Sequence, residues 1–215
     1  MPSFQQQRET LERWRRYPAL ERVDAGVALT FDDGPDPDCT PAVLDALAEA
    51  GACAVFFVVG EQVEAHPELA RRVADDGHVV ALHGFRHVEH DELGAGVRAD
   101  LERGAAAVAA ATGADPLLYR PPYGRFSEEY YRAAVELGLR PVYWSGWGGD
   151  WDPIPAERIA DLAIRDLVPG AILLLHDSAR YATRPSAAPT AEALPAILAA
   201  MRERDLEPVT VPAVG

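Results

Sequence analysis

Seven short apolar runs punctuate the chain, at 27–32, 54–59, 78–83, 117–120, 140–145, 171–176 and 208–212. Most are continuous rather than alternating, as in V-A-L-T-F at 27–31 and A-I-L-L-L at 171–175. That is the pattern of strands buried on both faces of a parallel sheet. Helical patterns separate them. Thr40-Pro41 opens the first, with Thr40 as N-cap and proline at the first helical position, and Gly51 stops it after Leu44, Leu47 and Ala48. Further helices are expected from Pro67 to before Gly77, over 91–112, over 127–137 behind a Ser127 cap, over 155–167, and over 190–204. A strand-helix unit repeated about seven times, with no long linker, predicts an α/β domain of about seven parallel strands over 23–215. Either a closed barrel or an open doubly wound sheet satisfies the pattern. Residues 1–22 read as an arginine-rich helical extension.

Composition narrows the function. A formal net charge of −14 argues against nucleic acid or an anionic membrane surface as partner, since phosphates are repelled before contact. All 20 basic residues are arginine, so lysine imine chemistry is excluded. Two cysteines, Cys39 and Cys53, make no disulfide framework in 215 residues. No stretch approaches the ~20 apolar residues of a membrane span, and the polar N-terminus lacks the apolar segment of a signal peptide. As written the chain reads as cytoplasmic, or as extracellular if a leader has been removed. No G-x-G-x-x-G or G-x-x-x-x-G-K-[ST] follows a strand, so the usual phosphate cradles are missing.

Polar residues stand instead at the ends of at least five strands. Asp32-Asp33 follow the first run and His83 and His87 the third. Arg120-Pro121-Pro122-Tyr123-Gly124 follows the fourth, a tryptophan-rich loop with Asp150 the fifth, and His176-Asp177 the sixth. One strand end with an Asp-Gly-Pro turn is ordinary loop chemistry; five at one rim of a sheet point to a site. His83 and His87, four apart, can present both rings to one side. Two imidazoles and a carboxylate suit a first-row divalent metal with open positions, which acts as a Lewis acid and lowers the pKa of water. If Asp33 is the carboxylate ligand, Asp32 remains to take a proton, and His176 can protonate a leaving group. Arg120 can hold Asp32 through a bidentate ion pair. The backbone N–H of Tyr123 is a candidate oxyanion donor.

Over residues 26–213 these motifs, in this order, resemble the polysaccharide deacetylases with a NodB-type homology domain, carbohydrate esterase family 4. Thr30-Phe31-Asp32-Asp33-Gly34-Pro35 is similar to the first family motif and His83-x-x-x-His87 to the second. Arg120-Pro-Pro-Tyr123-Gly124 resembles the third, Asp150-Trp151 falls in the fourth, and Leu174-Leu175-His176 resembles the fifth. The resemblance implies a distorted (β/α) barrel and metal-dependent removal of N- or O-acetyl groups. It assigns Asp32 as base, Asp33, His83 and His87 as metal ligands, and His176 as general acid. Zn2+ is the default metal, with Co2+, Ni2+ and Mn2+ as alternatives.

Two departures from the family pattern stand out. Gly84 replaces the serine or threonine that follows the first histidine, whose hydroxyl braces the loop. In the fourth motif, often D-x-x-D-W, Trp147 occupies the place of the first acid, which orients the general-acid histidine. His176 is therefore expected to lose its proton at lower pH than in relatives that keep the acid, unless Asp150 or Asp177 substitutes. Trp144 reads as core, whereas Trp147, beside two glycines, is expected to be exposed and to stack on a sugar ring with Tyr123 and Trp151. His78, His66 and His90 read as structural. The expected substrate is an N-acetylated sugar such as a chitooligosaccharide or peptidoglycan-like glycan. The alternatives are an acylated small molecule or O-acetyl ester, or a carbohydrate-binding module that has lost turnover.

Overall fold

The computed structural model describes residues 15–89 and 93–213. Its seven strands are β1 (Val27–Asp32), β2 (Val55–Val58), β3 (Val79–Leu82), β4 (Leu118–Tyr119), β5 (Arg140–Pro141), β6 (Gly146–Trp147) and β7 (Ala171–His176). They form one sheet in the order β5-β4-β3-β2-β1-β7-β6, with every pair parallel. The helices are α1 (Thr40–Ala50), α2 (Gly60–Ala65), α3 (Pro67–Asp75), α4 (Val97–Thr112), α5 (Glu128–Glu136), α6 (Ala156–Arg165) and α7 (Ala188–Glu203). All six residues of β1 are buried, as are all four of β2. Burial on both faces is what the unbroken apolar runs predicted.

The topology leaves the sheet no choice but to curl. β5 and β6 lie at opposite edges of the seven-stranded order. Laid flat, six gaps of ~4.8 Å would separate them by roughly 29 Å. Yet five residue steps join Pro141 to Gly146, and an extended chain covers at most ~18 Å in five steps. The result is a distorted, barrel-like sheet. The run expected as one strand at 140–145 is a single extended segment that changes partners. Val142 N–H donates to Tyr119 O on the β4 side, whereas Ser145 N–H donates to Ile172 O on β7.

Other departures from the sequence expectation have local causes. Of the proposed N-terminal helical segment, residues 1–14 lie outside the described residues. Residues 15–22 form no helix; Leu20 bridges Val142, and Tyr143 N–H donates to Leu20 O. The run at 208–212 forms no strand but a single isolated bridge to β1: Val27 N–H donates to Glu207 O and Val209 N–H to Val27 O, before β2 takes that side of β1 from Thr30 onward. Thr40 is not a cap. Cys39 holds that position without a side-chain bond, and the Thr40 hydroxyl is committed elsewhere. Ser127 does cap α5, accepting from Tyr130 N–H. Helix α2 has no counterpart in the expected elements. Its six residues are too few for a periodic signal. Among the described residues no helix is long and apolar enough to cross a membrane.

Candidate active site

The parallel arrangement brings the carboxyl ends of β1, β3, β4 and β7 to one rim, where loops can present side chains. Asp32 is paired in register with His176 on β7. The chain then turns through Asp33, whose φ is +82°. The turn is fixed from below by Asp177, which accepts from Gly34 N–H (3.1 Å) and from the Thr40 hydroxyl (2.5 Å). Position 34 must be glycine, because an added Cβ would lie 2.2 Å from an Asp177 carboxylate oxygen. Burial foremost, with Asp33 and Asp36 nearby, raises the Asp177 pKa to about 7 against the opposing bond from Thr40.

Asp33 meets both histidines. Its Oδ1 lies 3.2 Å from His87 Nε2 and 3.5 Å from His83 Nε2. Among the described residues these three form the one cluster of three or more potential metal-ligating side chains. Neither Cys39 nor Cys53 belongs to it. The chemistry of the donor set fits a divalent cation. His83 Nδ1 lies 2.7 Å from the Arg120 carbonyl, which can only accept. The neutral ring therefore carries its proton on Nδ1 and turns a bare Nε2 lone pair toward Asp33. Asp33 Oδ1 is itself buried and accepts no hydrogen bond among the described residues. Lone pairs converging on a buried carboxylate oxygen repel one another unless a cation lies among them. Burial alone would raise the Asp33 pKa; where protons stand in for the cation, hydrogen bonds from the His83 and His87 rings and the charges of His87 and His176 hold it well below the ordinary carboxylate value.

Asp32 turns Oδ1 onto Arg120, while its Oδ2 lies 3.9 Å from His83 Nε2. Arg120 is fully buried, with its guanidinium over the Phe57 ring at 4.0 Å. The expected bidentate pair is not formed. One nitrogen, Nη1, serves both Asp32 Oδ1 (2.6 Å) and Thr30 Oγ1 (2.8 Å), while Nη2 donates to Tyr143 O (3.0 Å). The fork is thus shared between strands, which leaves Asp32 one oxygen for other chemistry.

On the far side of Asp32, His176 rests on Asp150. Nδ1 of the ring lies 2.8 Å from Asp150 Oδ1, and the His176 backbone N–H donates to Asp150 Oδ2 at 2.8 Å. Thr190 on α7 also donates to Oδ2 (2.7 Å), and Arg184 approaches it at 3.5 Å. Burial would lower the His176 pKa. The Asp150 charge and hydrogen bond, helped by Asp33 and Asp32, raise it instead to about 9. Of the two substitutes the sequence offered, Asp150 is the one in place: it, not the residue at 147, orients the ring, and Asp177 serves the β1 turn instead.

Trp147 itself is a correction. It is only 2% exposed, because Gly146–Trp147 is the edge strand β6, packed on β7. It therefore offers no sugar platform and takes its place in the core, as Trp144 does. Trp151 is half-buried, edge-on to Trp147 at 6.3 Å and to His176 at 5.9 Å, so it forms a wall beside the imidazole. Tyr123 sits in the turn after β4 with φ of +58° and is 44% exposed, its ring edge-on to His87 at 4.6 Å. His78 rests against Phe56, and His66 lies at the start of α3; neither reaches the site. His90 lies outside the described residues.

The Gly84 departure has a physical reason. Its φ is +90°, a conformation side chains disfavour, and a Cβ there would lie 3.1 Å from Arg86 O. The brace comes from helix α4. Buried Asp100 accepts from Phe85 N–H (2.9 Å), Arg86 Nε (3.3 Å) and the Tyr130 hydroxyl (3.2 Å). Sequence reading missed it, though a signal was present. Asp100 falls on the buried face with Val97, Leu101, Gly104 and Val108, where an unpaired carboxylate would be costly.

Comparison with known proteins agrees with this geometry. Residues 21–142 match the family described as Polysaccharide deacetylase. A chitooligosaccharide deacetylase from Rhizobium leguminosarum bv. trifolii is 37% identical over 155 residues, 72% of each chain. A family 4 carbohydrate esterase from Streptomyces lividans, solved with acetate, superimposes with a TM-score of 0.79 at 30% identity, covering 88% of this chain and 94% of that one. A family 4 acetyl xylan esterase from Clostridium thermocellum, solved with a cobalt ion, gives 0.77 at 32% identity, covering 86% and 87%. With the motifs in order, the rim assembled and these relatives alongside, the chain belongs to the polysaccharide deacetylase family.

Proposed function

We propose that this protein is a metal-dependent deacetylase of N-acetylated sugars, acting on short N-acetylglucosamine chains of the chitooligosaccharide kind. The observation that carries the reading is the division of labour at one rim. A cation-ready Asp33–His83–His87 cluster shares the rim with a carboxylate on an arginine (Asp32) and an imidazole on a carboxylate (His176).

Asp33 Oδ1 and the Nε2 atoms of His83 and His87 would hold the metal, and we propose Zn2+ from the two-nitrogen, one-oxygen set. When bound, it supplies Lewis acidity toward the acetyl carbonyl and lowers the pKa of water. Asp32 accepts the proton from the attacking water on the oxygen that Arg120 leaves available, while Arg120 keeps the carboxylate oriented. His176, held by Asp150 through Nδ1, presents its Nε2 proton to the departing sugar nitrogen, which leaves as an amine. Two positioned groups, one accepting and one donating, are what amide hydrolysis near neutral pH requires. The backbone N–H of Tyr123 is the proposed donor to the developing oxyanion. Trp151 and Tyr123 are the proposed aromatic contacts for the sugar.

A second reading, O-acetyl ester hydrolysis, is favoured by the likeness to the acetyl xylan esterase. A binding module without turnover loses its one support, since it rested on the acid missing at Trp147 and Asp150 supplies that acid. The experiment measures acetate release from chitooligosaccharides, acetylated xylan and an aryl acetate, with Zn2+, Co2+, Ni2+ or Mn2+ and with chelator. Chelator-sensitive release from the chitooligosaccharide supports the proposal. Release from the esters alone selects the second reading, and no release under any metal refutes both.

A further inference from the structure

The two histidines of the cluster are held by different means. His83 has the usual support, an Nδ1 hydrogen bond to a backbone carbonyl. His87 has none: its Nδ1 is buried without a hydrogen-bond partner among the described residues. Apart from the approach of Nε2 to Asp33 Oδ1 at 3.2 Å, no hydrogen bond among the described residues fixes rotation of that ring about its Cβ–Cγ bond. What touches it is aromatic. Tyr181 lies flat against it, centroids 4.2 Å apart and planes 12° from parallel, and Tyr123 meets it edge-on at 71°.

Tyr181 is itself tethered. Its hydroxyl donates to Glu61 Oε1 (2.7 Å) and accepts from Gln62 Nε2 (3.0 Å), both on α2. The start of α2 is in turn bonded to the loop between the histidines, Gly60 N–H to Gly84 O and Glu61 N–H to Phe85 O, each at 2.9 Å. The tyrosine and the loop that presents His87 therefore share one anchor. A flat contact against a ring with a fixed partner removes the rotation that the missing hydrogen bond leaves open.

We infer that Tyr181 is the positioning residue for His87, orienting its Nε2 toward Asp33 by face-to-face stacking, as the Arg120 carbonyl does for His83 by hydrogen bonding. The inference rests on the Asp33–His83–His87 cluster being the metal site. It assigns a task to a residue on the loop after β7, four positions beyond Asp177, which is itself part of the β1 brace.

The test is metal affinity, read apart from activity. Zn2+ dissociation constants are measured by competition with a chromophoric chelator for wild type, Tyr181→Phe, Tyr181→Leu and Tyr181→Met, with Asp33→Asn as control. Melting of the metal-free proteins confirms folding, and two aliphatic variants keep the comparison from depending on one. Losing an outer-shell partner costs about 10–100-fold in affinity. We expect the lower part of that range for Leu and Met, a change of less than about threefold for Phe, and an altered visible spectrum of the Co2+ form in the aliphatic variants alone. Aliphatic variants that bind Zn2+ within about twofold of wild type overturn the inference while leaving the metal site standing. Equal losses for Phe and Leu overturn it too, because the hydroxyl tether rather than the ring would then matter. If wild type and Asp33→Asn bind Zn2+ equally poorly, the metal reading falls and this inference with it.

Discussion

Asp150→Asn is the most demanding test of the acid side of the site. The substitution keeps shape but removes the charge that holds the His176 proton. An amide has one acceptor oxygen. If it keeps the bonds from the His176 backbone N–H and Thr190, as Asp150 Oδ2 does now, its NH2 group faces His176 Nδ1. That nitrogen must then be a lone pair, and the imidazolium cannot form without a clash of donors. In the native site the His176 pKa stands at about 9 against an ordinary 6.5, a preference for the cation of about 3 kcal/mol. A bound divalent cation offsets the help from Asp33 and Asp32 and makes Asp150 the deciding partner. Without it burial dominates, and the pKa falls to about 6.5 or below. At pH 8 the acid form then drops from about 90% to about 3% of the enzyme, a loss of roughly 30-fold. The assay is the pH profile of kcat/KM for acetate release from a chitooligosaccharide, with metal saturating and folding checked. An alkaline limb that stays near pH 9 in Asp150→Asn would refute the assignment. Linkage has the same sign: a raised histidine pKa stabilises the fold fully below pH ~6.5, and that contribution disappears as pH rises through about 9.

Other consequences can be checked alongside. Asp32→Asn should lower kcat by at least ~10²-fold while Zn2+ content stays near wild type; metal loss as complete as in Asp33→Asn would show the two aspartates misassigned. His176→Ala should depress amide hydrolysis more than aryl ester hydrolysis, because an ester's leaving group departs without a proton, and equal losses on the two substrates contradict a general-acid role. Asp100→Ala strands the Phe85 N–H, at about 1–3 kcal/mol, and removes one partner of the Tyr130 hydroxyl, so urea unfolding of the metal-free protein should show a loss of at least about 1–3 kcal/mol. Trp147→Phe should lower the melting temperature and leave KM for a chitooligosaccharide unchanged, since a fully buried ring cannot touch sugar; a several-fold rise in KM would restore the stacking role.

The residues gathered at the rim were legible because they sit where local pattern is strongest. Asp32, His83, Arg120 and His176 each follow an apolar run of four or more residues or a short buried strand, and parallel pairing brings those ends together whether the sheet is open or closed. The curl was not legible from periodicity. It follows from the partner exchange along 140–148, where one continuous apolar segment bonds first to β4 and then to β7. Trp147 was misread for the same reason: its flanking glycines look like a loop, yet Gly148 N–H donates to Leu174 O as a strand residue would. The bidentate Arg120–Asp32 pair failed because the guanidinium also has to satisfy Thr30 and the Tyr143 carbonyl, demands that no linear motif displays.

What the sequence concealed most thoroughly is the layer behind the reacting groups. Asp100 is 13 residues from His87 in the chain, and Thr190 is 40 from Asp150; each reaches the site only because a helix packs over the sheet. Their chemistry nevertheless follows one rule. A buried charge or imidazole is tolerable when a second element supplies its partner, so each rim group has its support on a different segment: Asp32 on β4, His176 on the loop after β6 and on α7, the His83–His87 loop on α4. Asp33 differs, with its turn braced through Gly34 by Asp177 and its Oδ1 left to the histidines. The Asp33 oxygen at the centre of the cation-ready cluster is thus left without a hydrogen bond among the described residues, and a site built to bind metal through lone pairs requires just that asymmetry.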